Sequence, residues 1–222
     1  LWFQDSDLAK WLEAASFSLA THPDAKLDAE LDGIIATIAK AQQPDGYLDT
    51  YVQLTAPDKK WTNLFEWHEL YIAGHFIEAG VAHFEATGKR TLLDVVCKLA
   101  DMIGKVFGSA EGQILGYPGH EEVELALIKL ARVTGVKRYV HLAAYFINQR
   151  GAKPNYYEDE SKRLGVSKKL PVYFYHNRWA YLQANKPVRE ELEPIGHSVR
   201  AMYLYTAMAD LALEMGTIRC AR

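Results

Sequence analysis

The feature that most constrains this sequence is an alternation of two kinds of helical pattern. Residues 91–107 carry charges at spacings of four, three and four, which form one polar stripe opposite apolar side chains. Residues 70–84 and 123–133 are apolar on almost every side, with one and three charged positions respectively. The first pattern predicts a helix with one face in solvent. The second predicts helices that are buried all round.

A repeat links the two patterns. FEATGKR at 84–90 matches ARVTGVKR at 131–138, about 47 residues further on, and MADLALEMG at 208–216 is a partial third copy. Pairs of one buried and one amphipathic helix are what an inner and an outer ring of helices require. The sequence therefore predicts an all-α fold of the α/α-toroid type, a double ring of helical hairpins, over residues 1–216. A superhelical solenoid has the same period and stays an alternative, although it has no use for Gly-His at repeated helix starts.

The hydrophobic period predicts helices throughout and no strand. The predicted helices are 6–20, 26–41, 66–86, 90–107, 121–133, 137–149, 173–184 and 197–215, and 217–222 is an unpatterned tail. Gly88, Gly135 and Gly216 stand where left-handed C-cap residues are expected. An N-cap for the first helix is expected among residues 5–7, Asp-Ser-Asp.

Two connecting segments are predicted to be irregular. AQQPDGYLDTY at 41–51 contains Pro44 and the Asp45-Gly46 turn, and its Gln42, Gln43 and Tyr47 either edge a pocket or pack the turn. The polar, proline-interrupted segment 151–170 is expected to be an exposed, partly mobile loop over one rim.

Composition excludes several classes of partner. The chain of 222 residues has a net charge of −3 with interspersed signs and no basic run, which argues against nucleic acid and anionic membranes. Its apolar stretches are shorter than the roughly 18–20 residues of a membrane span.

The two cysteines, Cys97 and Cys220, lie far apart in the sequence. Neither a disulfide framework nor a cysteine-rich zinc site is therefore expected, and a reducing, cytoplasmic location fits best.

Histidines stand at the front of three apolar segments. His68, His120 and His197 lie 20, 15 and 19 residues ahead of the terminating glycines. Because the inner helices of a double ring start at one mouth, we expect these imidazoles to converge on a cavity and to hydrogen-bond the hydroxyls of a sugar. His75 shares the Gly-His dipeptide but falls about two turns into its helix. Glycine beside histidine lets the backbone bend or pack closely there.

Aromatic side chains near these histidines favour a carbohydrate pocket. They are Trp61, Phe65, Trp67, Tyr71, Tyr117, Tyr173, Tyr175, Trp179 and Tyr181. Five glutamates lie near the same mouth: Glu66, Glu69, Glu121, Glu122 and Glu124. Two of them could form the carboxyl pair of a glycosidase. Glu121 and Glu122 are instead interpreted as first-turn charges that complement a helix dipole.

A three-histidine zinc site is the alternative for the imidazoles. No histidine pair has the helix spacing of HExxH, so no metal site is predicted in this chain. The remaining histidines, His83, His141 and His176, are interpreted as packing or surface residues.

Five spaced motifs resemble glycoside hydrolase family 127, whose type activity is β-L-arabinofuranosidase. They are FQDSDLAKWLEA at 3–14, AQQPDGYLDTY at 41–51, HELYIAGHFIEAGVAH at 68–83, GYPGHEEVELALIKL at 116–130 and PIGHSVRAMYLYTAMADLA at 194–212. The resemblance runs in order over nearly the whole chain. It implies a catalytic (α/α)6 toroid of the six-hairpin kind, usually followed by β-sandwich domains, that acts on arabinofuranosides of plant-type glycans.

The same resemblance implies that His68, His120 and His197 bind the sugar. It also implies a glutamate acid/base and a zinc-bound cysteine nucleophile, with further cysteine and glutamate ligands, all of which fall beyond this chain. The chain is then an incomplete toroid. It is expected to hold no cofactor, to have no hydrolase activity alone, and to associate with a second copy through an exposed apolar edge.

Three other functions stay open from the sequence. A sugar epimerase or isomerase would use histidines to move protons. A polysaccharide lyase or unsaturated glycuronidase would need basic residues at the mouth, where only Arg200 is found. A non-enzymatic carbohydrate-binding or protein-binding helical module is the third.

Overall fold

The structure is a computed structural model that describes residues 2–165 and 179–216. Over these residues it is helical, without strands, and Phe107 and Ile114 form one isolated bridge. The α-helices are α1 (Asp5–Thr21), α2 (Ala25–Ala41), α3 (Thr50–Thr55), α4 (Glu69–Thr87), α5 (Thr91–Val106), α6 (Val123–Thr134), α7 (Lys137–Gln149), α8 (Tyr156–Arg163) and α9 (Ser198–Glu214). Short 3-10 helices span Pro57–Lys59, Ala180–Leu182 and Val188–Glu190.

The long helices form an inner and an outer row. In the inner row α1 packs on α4, α4 on α6, and α6 on α9. In the outer row α5 packs behind α4 and α7 behind α6, while α2 contacts α1 and α5. Helix α4, with its nearly unbroken apolar surface, is buried along most of its length, whereas α5 buries one face. This alternation is an incomplete α/α toroid and confirms the predicted fold.

The two end helices of the inner row expose large apolar side chains. On α1 these are Leu8, Trp11 and Phe17, and on α9 they include Met202 and Leu213. Between them, α4 and α6 have neighbours on both sides. Apolar exposure at both ends of the row is what an incomplete ring produces.

Helix ends agree with the sequence in part. Gly88 and Gly135 cap α4 and α6 with φ of 72° each, and Gly216 follows α9 with φ of 63°, as predicted. The predicted N-cap is wrong, because α1 begins at Asp5 itself. The Asp5 carboxylate instead accepts hydrogen bonds from the backbone and hydroxyl of Thr50, at 2.6 and 2.7 Å, and so ties α1 to α3.

The segment predicted as an exposed loop at 151–170 is described up to residue 165, and this part contains helix α8 instead. Tyr157, Glu160 and Ser161 of this helix are buried. Within 41–51, the Gln42 side chain donates to the carbonyls of Gly46 and Val95, both at 2.9 Å, so it packs the turn.

Two predicted helices start later than expected, at Glu69 and Val123. The first half of the helix predicted at 173–184 lies outside the described residues, and its described half forms only the 3-10 helix Ala180–Leu182. The predicted tail at 217–222 also lies outside them. None of the described helices is both long and apolar enough to cross a membrane.

Candidate functional site

Three inner helices bring one histidine each to a common point. His68 is the N-cap of α4, His197 is the N-cap of α9, and His120 lies three residues before α6. The His68 and His120 ring centroids are 5.6 Å apart, and those of His120 and His197 are 6.4 Å apart. The structure thus places together the three histidines predicted to bind substrate, whereas their role in binding stays a prediction. His75 lies deeper along α4, below Tyr71.

The loop that carries His68 is held from two directions. The Glu160 carboxylate of α8 accepts hydrogen bonds from the backbone N–H groups of Leu64 and Phe65, at 2.9 and 3.0 Å. The Gly119 N–H donates to the Leu64 carbonyl at 2.9 Å. Because Gly119 directly precedes His120, this contact joins the loops of two site histidines.

Backbone carbonyls fix the tautomers of two imidazoles. His68 Nδ1 lies 2.9 Å from the Glu66 carbonyl oxygen, and His120 Nδ1 lies 2.9 Å from that of Glu121. A carbonyl only accepts, so in the neutral imidazole Nδ1 carries the proton and Nε2 is left as an acceptor. Two acceptors of this kind suit hydroxyl donors such as those of a sugar.

Burial and the nearby Arg200 guanidinium keep these imidazoles neutral. They lower the pKa of His68 to about 4 and that of His120 to about 3, with burial the larger cause. The same two causes lower the pKa of His197, whose Nδ1 is buried without a hydrogen-bond partner. Arg200 is held by the Gly119 carbonyl at 3.1 Å and lies over the Tyr181 ring.

Few of the predicted aromatic residues contact the histidines. Tyr71 packs its ring against His68 and His120, with centroids 5.5 and 4.3 Å apart, and Tyr181 packs on His197 at 5.2 Å. By contrast, Trp61, Phe65, Tyr117 and Trp179 are buried in the core. Tyr173 and Tyr175 lie outside the described residues.

Sequence reasoning missed three side chains at this site. Phe3 contacts the His68 ring, Tyr203 contacts the His120 ring, and the Lys10 ammonium donates to the Tyr71 hydroxyl at 2.8 Å. Tyr203 could have been found from its position, because it follows Arg200 by three residues and therefore lies on the same face of α9. Phe3 and Lys10 fall within the motif at 3–14, but nothing in that motif places them beside His68 and Tyr71, which are distant in sequence.

Three of the five glutamates predicted near the mouth, Glu69, Glu121 and Glu124, are occupied by structural contacts. Glu69 accepts from the Tyr47 hydroxyl at 2.5 Å and from the Trp61 N–H at 3.0 Å. Glu121 and Glu124 pair with the buried Arg150 guanidinium at 3.0 and 3.1 Å. The interpretation of Glu121 and Glu122 as first-turn helix charges is wrong, because both precede α6 and are completely buried.

A cavity of about 560 Å³ lies on the outer row between α5 and α7. Its lining includes Asp101, Arg138 and Tyr139 but none of the three converging histidines. It is therefore separate from the candidate site.

The cysteine-containing zinc site implied by the resemblance does not fit the described residues. Cys97 is the cysteine found among the described residues, and it lies half-buried on the outer helix α5. Burial raises the pKa of its thiol, which is the opposite of what a zinc ligand or an activated nucleophile requires. It belongs to neither group of side chains that could hold a metal ion.

Comparisons with known proteins show which family this chain is similar to. The family described as "Beta-L-arabinofuranosidase, GH127 catalytic domain" matches residues 1–221. The non-reducing end β-L-arabinofuranosidase of Bifidobacterium longum subsp. longum is 43% identical over 219 residues, which cover 96% of this chain and 33% of that protein.

Two solved structures have the same fold. Ara127N-Se, a GH127 β-L-arabinofuranosidase from Geobacillus stearothermophilus T6, superposes with a TM-score of 0.93 at 53% identity, over 97% of this chain and 34% of that one. The GH127 β-arabinofuranosidase BT3674 superposes with a TM-score of 0.82 at 38% identity, over 98% and 32%.

The two rows of helices and these matches together show that the chain corresponds to a portion of the catalytic domain of a toroidal glycoside hydrolase. The chain spans about a third of the length of the relatives it matches. It belongs to glycoside hydrolase family 127.

Proposed function

We propose that this chain is the sugar-binding part of a glycoside hydrolase that acts on β-L-arabinofuranosides, and that His68, His120 and His197 hydrogen-bond the sugar. The observation that supports this proposal most strongly is the convergence of three neutral imidazoles at the starts of three inner helices. The printed activities of the relatives support the substrate class. Residues 1–216 form the toroid portion in this proposal, and 217–222 form a tail.

The nucleophile, the acid/base and the zinc ligands are proposed to come from outside this chain. The raised thiol pKa of Cys97 and the structural contacts of Glu69, Glu121 and Glu124 support this division. The exposed apolar ends of the inner row support association with a second copy. A cytoplasmic location completes the proposal and is supported by the free Cys97 thiol.

The purified chain is expected to release no arabinose from an aryl β-L-arabinofuranoside. The described residues offer no activated thiol at the histidine site, so the substrate binds without being cleaved. A chromogenic assay measures release, with an intact GH127 enzyme as the positive control. Turnover that follows the chain through purification would contradict the division of roles.

Single alanine substitutions at His68 and at His120 are each expected to weaken binding of methyl β-L-arabinofuranoside by roughly tenfold, as the loss of one hydrogen bond in a partly buried site implies. Isothermal titration calorimetry measures the Kd. His141→Ala is the matched control, because His141 is exposed on the outer helix α7 and should leave the Kd unchanged. Equal Kd values for all these variants and the original chain would overturn the assignment of the site.

Sugar binding is expected to be constant between pH 6 and 8. The lowered pKa values of about 4 for His68 and about 3 for His120 mean that both imidazoles stay neutral across this interval. Protonation would convert each Nε2 from acceptor to donor, so the contributions of His68 and His120 to affinity should be lost only as the pH falls towards 4. A midpoint near the ordinary histidine value of 6.5 in a pH series of Kd measurements would contradict this prediction.

A further inference from the structure

A second polar cluster lies inside the inner row. His75 and Glu78 are one turn apart on α4, and Glu122 is the N-cap of α6. Their exposed fractions are 3%, 6% and 0%. One ligand atom from each residue lies within 4.8 Å of the other two. His75 Nδ1 is 3.5 Å from Glu122 Oε1 and 4.0 Å from Glu78 Oε2.

Both ring nitrogens of the buried His75 have no hydrogen-bond partner. The Glu122 carboxyl group lies within hydrogen-bonding reach of the Glu78 carboxyl group. Buried polar atoms are nearly always satisfied by protein, water or an ion. Gly74 makes the room that Glu122 occupies, since a Cβ atom there would lie 1.5 Å from Glu122 Oε2. The carboxylate is thus seated against α4 in a space that any other residue at position 74 would fill.

We propose that His75, Glu78 and Glu122 form a binding site for a divalent ion of the zinc class. Zinc bound to nitrogen and oxygen at about 2.0–2.2 Å in a tetrahedron separates its ligand atoms by about 3.4 Å. The 3.5 Å between His75 Nδ1 and Glu122 Oε1 matches that edge, and the 4.0 Å to Glu78 Oε2 needs a small rotamer adjustment. An imidazole ligand disfavours Ca²⁺ and Mg²⁺, which prefer oxygen alone. A fourth position stays open for water.

The surrounding charges suit a divalent ion. Lys129 donates to Glu78 Oε1, which leaves Glu78 Oε2 facing His75. Glu13 lies close enough to both Glu78 and Lys129 for their charges to affect its pKa. The carboxyl groups of Glu13, Glu78 and Glu122 are thus grouped around the Lys129 ammonium, so the cluster offers more acidic groups than basic ones to a cation. Glu13, Phe17, Glu78 and Lys129 line a depression of about 180 Å³, so one of the three ligands, Glu78, is shared between the cluster and the surface.

This site is separate from the cysteine-containing zinc site implied for the family. It contains no thiol and is built entirely from α4 and the start of α6. A second group of potential ligands, Asp28, Asp32 and His83, provides an internal comparison. There the Lys89 ammonium already binds both carboxylates, at 2.7 and 2.8 Å, so we expect no ion at that place.

The test is Zn²⁺ binding to the whole chain, carrying Cys97→Ser and Cys220→Ser so that no thiol contributes. After removal of metal with a chelator, calorimetry and equilibrium dialysis with elemental analysis should show one equivalent of Zn²⁺. Glu122→Gln, which preserves shape, should weaken binding by at least about 100-fold, because even outer-shell changes cost about 10–100-fold. The control Asp32→Asn should leave the affinity unchanged.

A spectroscopic measurement covers the case in which Glu122→Gln fails to fold. Co²⁺ added to the chain that carries only Cys97→Ser and Cys220→Ser should give the intense visible absorption of a tetrahedral site. Zn²⁺ added to the same chain should shift the ring resonances of His75. Failure of the chain to bind Zn²⁺ would overturn the proposal, as would equal affinity of the Glu122→Gln and Asp32→Asn variants. In either of these outcomes, a proton shared by Glu78 and Glu122 fills the cluster instead. Because the readout is metal content, it is independent of sugar binding at His68, His120 and His197.

Discussion

Arg150→Met is expected to lower the free energy of unfolding by about 3–5 kcal/mol, which is the usual cost of removing one partner of a buried ion pair. The guanidinium is completely buried between Glu121 and Glu124 and lies over the Tyr117 ring. It also donates to the carbonyls of Leu182 and Pro118, at 2.9 and 2.8 Å. Methionine fills much of the same volume but supplies no donor, so two carboxyl groups lose their cation and two carbonyls each lose one donor.

Denaturation with urea, followed by circular dichroism, measures this change. Arg138→Met is the matched control, because Arg138 pairs with Asp101 at the surface and should contribute far less. Adding Glu121→Gln and Glu124→Gln to Arg150→Met should restore part of the stability, since no buried charge is then left unpaired. Similar losses for the Arg150 and Arg138 variants would show that the buried pairs stabilise the fold no more than the surface pair does.

Helix type and order could be predicted from the sequence because burial imposes a period. The polar stripe at 91–107 and the apolar surfaces of 70–84 and 123–133 correspond to α5, α4 and α6. Helix α8 gave no such signal. Its buried Glu160 bonds the backbone of Leu64 and Phe65, and a contact across about 95 residues leaves no trace in local periodicity.

The positions of the site histidines could be predicted for a related reason. His68, His120 and His197 stand at helix starts, and helices of one row start at one mouth. The glutamates could not be sorted in this way, because Glu121 and Glu122 are adjacent yet turn towards different partners, Arg150 and His75. Only the backbone path before α6, where Glu122 has φ of 173° and ψ of −44°, separates them.

Gly119→Ala is expected to be strongly destabilising, although it adds only one methyl group. A Cβ atom at this position would lie 2.4 Å from the Leu64 carbonyl oxygen and 2.5 Å from that of Phe65. Both are backbone atoms of a loop fixed by Glu160, so neither can move cheaply. Forced separation would break the Gly119–Leu64 hydrogen bond and move His120 away from His68. We expect a loss of about 2–4 kcal/mol, since overpacking and a lost buried hydrogen bond act together.

The same substitution elsewhere should have the opposite sign. Gly33 lies within α2, and a Cβ atom there would meet nothing within 4 Å. Gly33→Ala should therefore raise the free energy of unfolding by about 0.5–1 kcal/mol through helix propensity alone. Urea denaturation separates the two variants, and arabinofuranoside affinity should fall only for Gly119→Ala. Unchanged stability and affinity in that variant would mean that the close approach of the two histidine loops does not position the imidazoles.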